Sequence, residues 1–281
     1  MPGELPIFDN HIHFRPEHLG VQAAKIFEKA GGTALLLTHA PYADIPIGNG
    51  TDYERAYSKT LGMADAIRRE TALRVLVALG PYPVDILPLW KVLGPDRATQ
   101  VLRDGIDSAV RHVANQDAVA IGEIGRPHFP VEPDIQAACN DLIVYAMGRA
   151  RERNCAVVLH TEDPTPATFD EFARMAMRAG LALERVVKHH STPITRLGDT
   201  HGIVPSILAR ETLVREALAG APRFLLETDY IDDPERPGAV LGPATVPRKT
   251  KAWLESGLLS DRQASIIHKE LPEKTYQIEL E

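Results

Sequence analysis

The chain of 281 residues has only two cysteines, Cys139 and Cys155, and they show no C-x-x-C or zinc-finger spacing. Nothing calls for a disulfide framework or a thiolate metal knuckle, and a cytoplasmic location is the expectation. No run of about 18 apolar residues occurs, so no transmembrane helix and no membrane partner are expected. Met1-Pro2-Gly3-Glu4 lacks the basic region and apolar core of a signal peptide and leads straight into a strand-like run. Basic residues are not in excess: 31 Lys and Arg stand against 38 Asp and Glu, a net charge of -7. That balance argues against an extended nucleic-acid-binding surface, but it permits an enzyme that grips one strand end in a local pocket. Also missing are G-x-G-x-x-G, a P-loop and a G-x-S-x-G elbow, and neither cysteine stands at a strand end where a nucleophile would be needed.

What is present is a core. Apolar residues make up 44% of the chain, and the mean hydropathy of -0.15 is that of a globular protein. The 22 prolines and 20 glycines are spread along the sequence rather than pooled in a linker, so residues 1–281 read as a single domain. Short apolar runs alternate with helical periodicity, the βα pattern. Strands are expected near 7–13, 33–38, 73–79, 118–125, 155–160, 185–189, 202–204 and 224–229, with helices between most of them. The tail, 246–256 and 261–270, reads as helices wrapped on the outside. Eight strands of this kind predict a (β/α)8 TIM barrel, with distortion allowed for.

Chemistry should collect at the C-terminal ends of barrel strands. His11 and His13, one residue apart on the first strand, should share a face. The fourth strand runs into Glu123, the fifth into His160, the sixth into His189, and the eighth into Asp229. Six nitrogen and oxygen ligands converging from separate strands suffice for two divalent metals with one bridging carboxylate. Zn, Mn, Ni, Co or Fe suits such a mixed set, and Mg suits it less. Each residue also has a plainer reading. The histidines could be hydrogen-bonded barrel residues, and Glu123 and Asp229 could pair with Arg126 or Lys188.

Asn10-His11-Ile12-His13, Gly122-Glu123-Ile124-Gly125, His160, His189 and Glu227-Thr228-Asp229, in that order, resemble the TatD family of metal-dependent hydrolases in the amidohydrolase superfamily. Gly122 to His128, Val187-Lys188-His189, Ile203 to Ser206 and Glu227 to Pro234 resemble its archaeal-type branch. The resemblance implies one metal on His11, His13 and Asp229, another on His160 and His189, and Glu123 bridging. Glu123 stands where other amidohydrolases often carry a carbamylated lysine. His189 and His190 compete for one ligand position. Alternation along a strand lets only one of them face inward, and the Lys-His pattern of the family selects His189.

Four further residues are expected to contact substrate: Arg126 and His128 on the loop after Glu123, His39 at the end of the second strand, and Tyr230 beside Asp229. Lys188 should point outward to the helices, and the cluster Arg248-Lys249-Thr250-Lys251 reads as a solvated helix start, with a phosphate clamp as the alternative. Two metals sharing a hydroxide would make a nucleophile at neutral pH, with Asp229 and Glu123 as the catalytic carboxylates and Asp229 moving the proton. A TatD-type phosphodiesterase or deoxyribonuclease acting on a small-molecule or nucleic-acid-end phosphodiester is the first expectation. Hydrolysis of an amide, lactone or ester is the alternative. A barrel kept only as a scaffold ranks last, because it predicts a lost ligand and none is missing.

Overall fold

The apolar runs fold into parallel strands: β1 Phe8–His13, β2 Ala34–Thr38, β3 Arg74–Leu79, β4 Ala120–Gly125, β5 Ala156–His160, β6 Val186–Lys188, β7 Val204–Leu208, β8 Leu225–Glu227 and β9 Tyr230–Ile231. The computed structural model describes residues 5–236 and 240–280. Neighbours pair in the order β8-β7-β6-β5-β4-β3-β2-β1-β9, all parallel. Because β9 follows β8 after two residues and pairs with β1, the ends of the sheet meet. Asp229 N–H donates to the His11 carbonyl (3.0 Å) and Asp232 N–H to that of His13 (3.1 Å). The result is a distorted (β/α)8-type barrel, as expected, with its seam at the C-terminal ends of β1 and β8.

Alternating side chains divide the core into two layers. Phe8, Leu36, Ala78, Val158, Val187 and Leu225 fill the inside. Leu35, Leu37, Val75, Val77, Val157 and Leu159 face the surrounding helices, where they meet Phe27, Tyr57, Ile67, Ile143 and Phe172. Caps place the helix starts: the helix Gly50–Glu70 begins on an Asn49–Asp52 capping box, and Pro166–Ala179 on one formed by Thr165 and Thr168. No helix is long and apolar enough to cross a membrane among the described residues.

One expectation changes. β7 begins at Val204 rather than Gly202 and runs to Leu208, since Gly202 turns with φ +108 and Pro205-Ser206 hides a strand that the apolar run does not reveal. The expected tail helices do lie outside, where Val246, Trp253 and Leu259 pack with Ile207, Val214 and Leu226, but the segment that follows them turns under the barrel. Leu271, Tyr276 and Leu280 pack with Phe8, Ala120 and Leu225 in the interior cluster, closing the barrel at the N-terminal ends of its strands. His268, in a π-helical turn over Ile266–Glu270, faces the Phe8 backbone through Nδ1 (3.2 Å) and Thr250 Oγ1 through Nε2 (3.0 Å). Apolar side chains lining that open end supply the driving force, at about 25 cal/mol per Å² covered.

Candidate metal centre

The ligand strands are irregular just where the chemistry begins. Phe8 lies inside the barrel while Ile12, four residues on, lies in the outer layer, so an even spacing changes face. The β1–β2 register slips between Asp9 and Ile12. His11 and His13 follow the slip and turn inward together, their Nε2 atoms 3.1 Å apart. A matching slip between Ile121 and Ile124 brackets Glu123 on β4. Glycine is required beside it. A Cβ on Gly125 (φ +152) would fall 1.9 Å from the His160 carbonyl oxygen, and one on Gly122 would fall 2.6 Å from Val158 Cβ. Their absence lets β4 lie against β5 and carries Glu123 to His160.

Glu123 Oε1 is the hub. It lies 2.9 Å from His11 Nε2, 3.1 Å from His189 Nε2 and 3.4 Å from His160 Nδ1. His160 Nδ1 is 3.3 Å from His189 Nε2, and His13 Nε2 is 3.7 Å from Asp229 Oδ1. Three groups of donors form among the described residues, His11–His13–Asp229, Glu123–His160–His189 and His11–His189–Glu227, and Glu123 touches the first two. Metal bonds of about 2.1 Å put neighbouring ligands about 3.0 Å apart in an octahedron and about 3.4 Å apart in a tetrahedron. The observed separations span those values.

The rings are oriented for the same purpose. His13 Nδ1–H donates to the Thr38 carbonyl (2.9 Å), which leaves Nε2 a bare lone pair facing His11. Lone pairs that converge in a buried site repel one another unless a cation or a proton lies between them. The donor set thus fits divalent metal, with outer partners holding the inner ligands.

The sequence pattern of the TatD related DNase family matches residues 8–277. The chain belongs to the TatD family. It is 38% identical, over 99% of its own length and 98% of the other's, to the uncharacterised protein MJ1127 of Methanocaldococcus jannaschii. Among solved structures it is similar to YjjV, a TatD homologue from Escherichia coli, with a TM-score of 0.65 at 19% identity over 97% and 98% of the two chains. It is also similar to the phosphotriesterase homology protein of Escherichia coli, with a TM-score of 0.64 at 13% identity over 98% and 100%. The fold is that of a TatD-family metal-dependent hydrolase, and the family implies divalent metals.

Electrostatics in this TatD-family site follow from burial and crowding. Burial alone would raise the pKa of Glu123, but His160, His189 and the hydrogen bond with His11 hold it well below the usual carboxylate range. Asp229 is likewise held down against burial, by the neighbouring His13 and His190. Burial, with His11 close by, pushes His189 down to about 4, which keeps the imidazole neutral.

His189 and His190 both reach the site, and the premise that only one could do so is corrected. β6 ends at Lys188, and His190 takes up φ +48. Alternation stops there. The buried His189 faces Glu123, while the half-exposed His190 turns back to set Nδ1 3.0 Å from Asp229 Oδ2. Asp229 too has φ +48, a conformation that non-glycine residues seldom take and that clusters at functional sites.

Of the four expected substrate contacts, only His128 lines the cleft of about 830 Å³ above the centre, with Nδ1 3.2 Å from His160 Nε2. Arg126 is buried, with its guanidinium spread over Glu162, Glu171 and Asn140, so it neither reaches the cleft nor neutralises Glu123. His39 is buried behind β2 against Thr60 and Tyr57, where burial lowers its pKa to about 3. The Tyr230 hydroxyl donates to Asp232 (3.1 Å), and its ring borders a separate groove of about 900 Å³. Lys188 is fully buried, its ammonium on the His189 and Thr161 carbonyls rather than on Glu123 or Asp229. Arg248 and Lys249 border the second groove at the start of the helix Thr245–Glu255.

Three residues escaped sequence reasoning. Arg15 lines the cleft, and its Nε is buried with no hydrogen-bond partner among the described residues. It stands two residues past His13, so the H-x-H pattern extended by one step would have found it. The fully buried Glu227 holds His189 Nδ1 (3.2 Å) and stands two before Asp229. Asp9 takes Thr228 N–H (3.0 Å), the Thr228 hydroxyl (2.8 Å) and His11 N–H (3.2 Å), pinning the seam. Burial pushes its pKa up to about 7.

Proposed function

We propose that this TatD-family protein is a metal-dependent phosphodiesterase that acts on the ends of single-stranded nucleic acid, a deoxyribonuclease in the family's sense. The observation that carries this reading is the unpartnered Nε of Arg15 at the wall of a cleft whose floor is the His11–His13–Asp229 and Glu123–His160–His189 donor groups. A buried guanidinium N–H without an acceptor favours an anionic oxygen, and Arg matches phosphate geometry better than Lys does.

His11, His13 and Asp229 would hold one cation, His160 and His189 a second, and Glu123 would bridge them. Divalent cations there supply Lewis-acid activation of water and neutralise charge that builds on the phosphoryl oxygens. Zn, Mn, Ni, Co or Fe suits the mixed donors. Asp229 accepts the proton of the attacking water at a carboxylate oxygen and later returns it to the leaving oxygen. His190, on Oδ2 of Asp229, keeps the carboxylate turned to the cleft. Arg15 aligns a non-bridging oxygen of the substrate, and His128 stands at the rim. An acidic protein whose cleft offers Arg15, Arg236 and the proposed cations as its positive groups suits strand ends rather than long duplex. The two cysteines are free and buried, which agrees with a reducing cytoplasm.

The test is a metal-supplemented panel of single-stranded DNA, RNA, phosphodiester reporters and lactones. Cleavage of the phosphodiesters, with single-stranded DNA ends preferred, is expected. Turnover of the lactones alone would replace this reading with carbon-centred hydrolysis.

A further inference from the structure

The second groove, of about 900 Å³, shares a wall with the cleft over the metal centre. Ile231 and Asp233 line both depressions, and Ile231 stands two residues past Asp229, at most about 7 Å along the chain. Two kinds of side chain face the groove. Leu19 and Ile26 are 52% and 43% exposed, and with Ile231, Pro234 and Pro243 they make an aliphatic surface. Large apolar side chains left open together in a concavity mark a binding surface. The second kind is cationic. The basic cluster divides here: Thr250 is buried on His268, while Arg248 and Lys249 open to the groove and make no ion pair among the described residues.

Three acids also line the groove, and two of them are engaged elsewhere. Asp232 accepts from Gly20 N–H (2.7 Å), Arg15 N–H (3.2 Å), Leu19 N–H (3.2 Å) and the Tyr230 hydroxyl (3.1 Å), so both of its oxygens are taken up. Glu17 faces Lys59 Nζ at 3.3 Å. Asp233, on the shared wall, accepts only the Glu235 N–H (2.9 Å), so an anion belongs at the Arg248–Lys249 end. The helix Thr245–Glu255 starts at that end with no acidic residue in its first turn, and the positive end of its dipole adds to the two side chains.

We propose that this groove is a subsite for the nucleotides adjoining the cleaved bond of a single strand; this rests on the phosphodiesterase reading above. The strand passes from the metal centre over Ile231. Its bases lie on Leu19 and Ile26, and a backbone phosphate meets Arg248 and Lys249. Continuity with the cleft and the pairing of an apolar surface with free cations select this occupant, because a nucleic-acid strand is itself apolar base faces on an anionic thread. A duplex keeps those faces stacked inside and cannot use the aliphatic surface. Base faces and phosphates carry no base identity, so the subsite lengthens the grip without adding sequence preference.

The test compares oligothymidylates of about two and about eight nucleotides with bis(p-nitrophenyl) phosphate, which fills the cleft alone. Cleavage by the full chain gives KM and kcat, and fluorescence anisotropy gives oligothymidylate binding to the metal-free protein. The wild type should favour the longer strand. Arg248→Ala combined with Lys249→Ala should raise its KM about 10-fold at unchanged kcat, weaken its binding equally, and flatten the slope of log affinity against log salt by about 1.4. Leu19→Asp should weaken the longer strand about 5-fold. Neither variant should alter turnover of the small reporter, and all three side chains are exposed, so folding is not at stake. The proposal is overturned if the double variant keeps the wild-type KM and salt slope, or loses as much on the reporter. Binding of decanoate without oligothymidylate would give the groove to an apolar anion, and a wild-type dimer split by Leu19→Asp would give it to a second copy. Phosphodiester cleavage indifferent to Arg248 and Lys249 removes the subsite but keeps the phosphodiesterase reading. Turnover of lactones alone, with oligothymidylate binding still dependent on both cations, removes that reading but keeps the groove as a strand-binding site.

Discussion

Buried histidines sit at both ends of this barrel under opposite rules. At the bottom, His268 faces the Phe8 backbone on one ring nitrogen and Thr250 on the other. Its hydrogen bonds are internally satisfied, and burial pushes its pKa down to about 4. At the mouth, His11, His13, His160 and His189 turn ring nitrogens toward one another and toward Glu123 Oε1, with separations of 2.9 to 3.4 Å. Burial is common to His268 and to His11, His13 and His189. Convergence of lone pairs without donors is what separates a metal centre from a packed histidine.

The largest effect should come from the mouth. Asp229→Asn is expected to lower kcat by about 10³-fold, within the range of a lost general acid–base group, while thermal unfolding shows the fold intact. Turnover near the wild-type value would remove Asp229 from proton transfer. The bottom should respond through pH instead. His268 drops from an ordinary 6.5 to about 4 in the folded state, so the unfolded chain binds more protons between those values. The contribution is fully present above about pH 6.5, is lost as the pH falls toward about 4, and amounts to about 3 kcal/mol at most. Urea unfolding at pH 7.5 and pH 5 should show that loss shrinking in His268→Gln. An unchanged pH dependence would contradict the buried neutral imidazole.

Metal removal sharpens the contrast. Adding Mn2+ or Zn2+ to metal-stripped protein at 100 times Kd should stabilise it by about 2.7 kcal/mol, read as a rise in Tm. Glu123→Gln should abolish that rise, and His268→Gln should keep it. Equal responses in the two variants would erase the distinction between the ends of the barrel. The smallest effect belongs to Arg15→Gln, expected to cost about 10-fold in kcat/KM on phosphodiesters, equal to 1.4 kcal/mol. The same variant should leave neutral lactones unchanged, and an equal loss on both substrate types would assign Arg15 to structure.

Much of the architecture was legible because strand and helix patterns are local. The apolar runs of β2, β3 and β5, and the helices around 50–70 and 133–153, stand within a few residues of where periodicity places them. The strand-end positions of His11, His13, Glu123, His160 and His189 were visible for the same reason. β9 was not, since two residues after a turn at Asp229 carry no strand signal. Arg126 looked like a substrate contact because its partners Glu162 and Glu171 lie on a loop and a helix that only folding brings over it. The helices at 246–256 and 261–270 stand outside as expected, but the plug made by 271–280 was not legible, because an amphipathic segment looks the same whether it covers helices or plugs a barrel.

The sequence alone determined that parallel strands would form and that nitrogen and oxygen ligands would stand at their ends, because side-chain order and hydrophobic period are properties of neighbours. Tertiary structure alone decided the rest: the slips in β1 and β4 that turn His11, His13 and Glu123 inward, the arrival of both His189 and His190, and the tail beneath Asn10. Those outcomes depend on where distant backbones come to rest, and no local period encodes them.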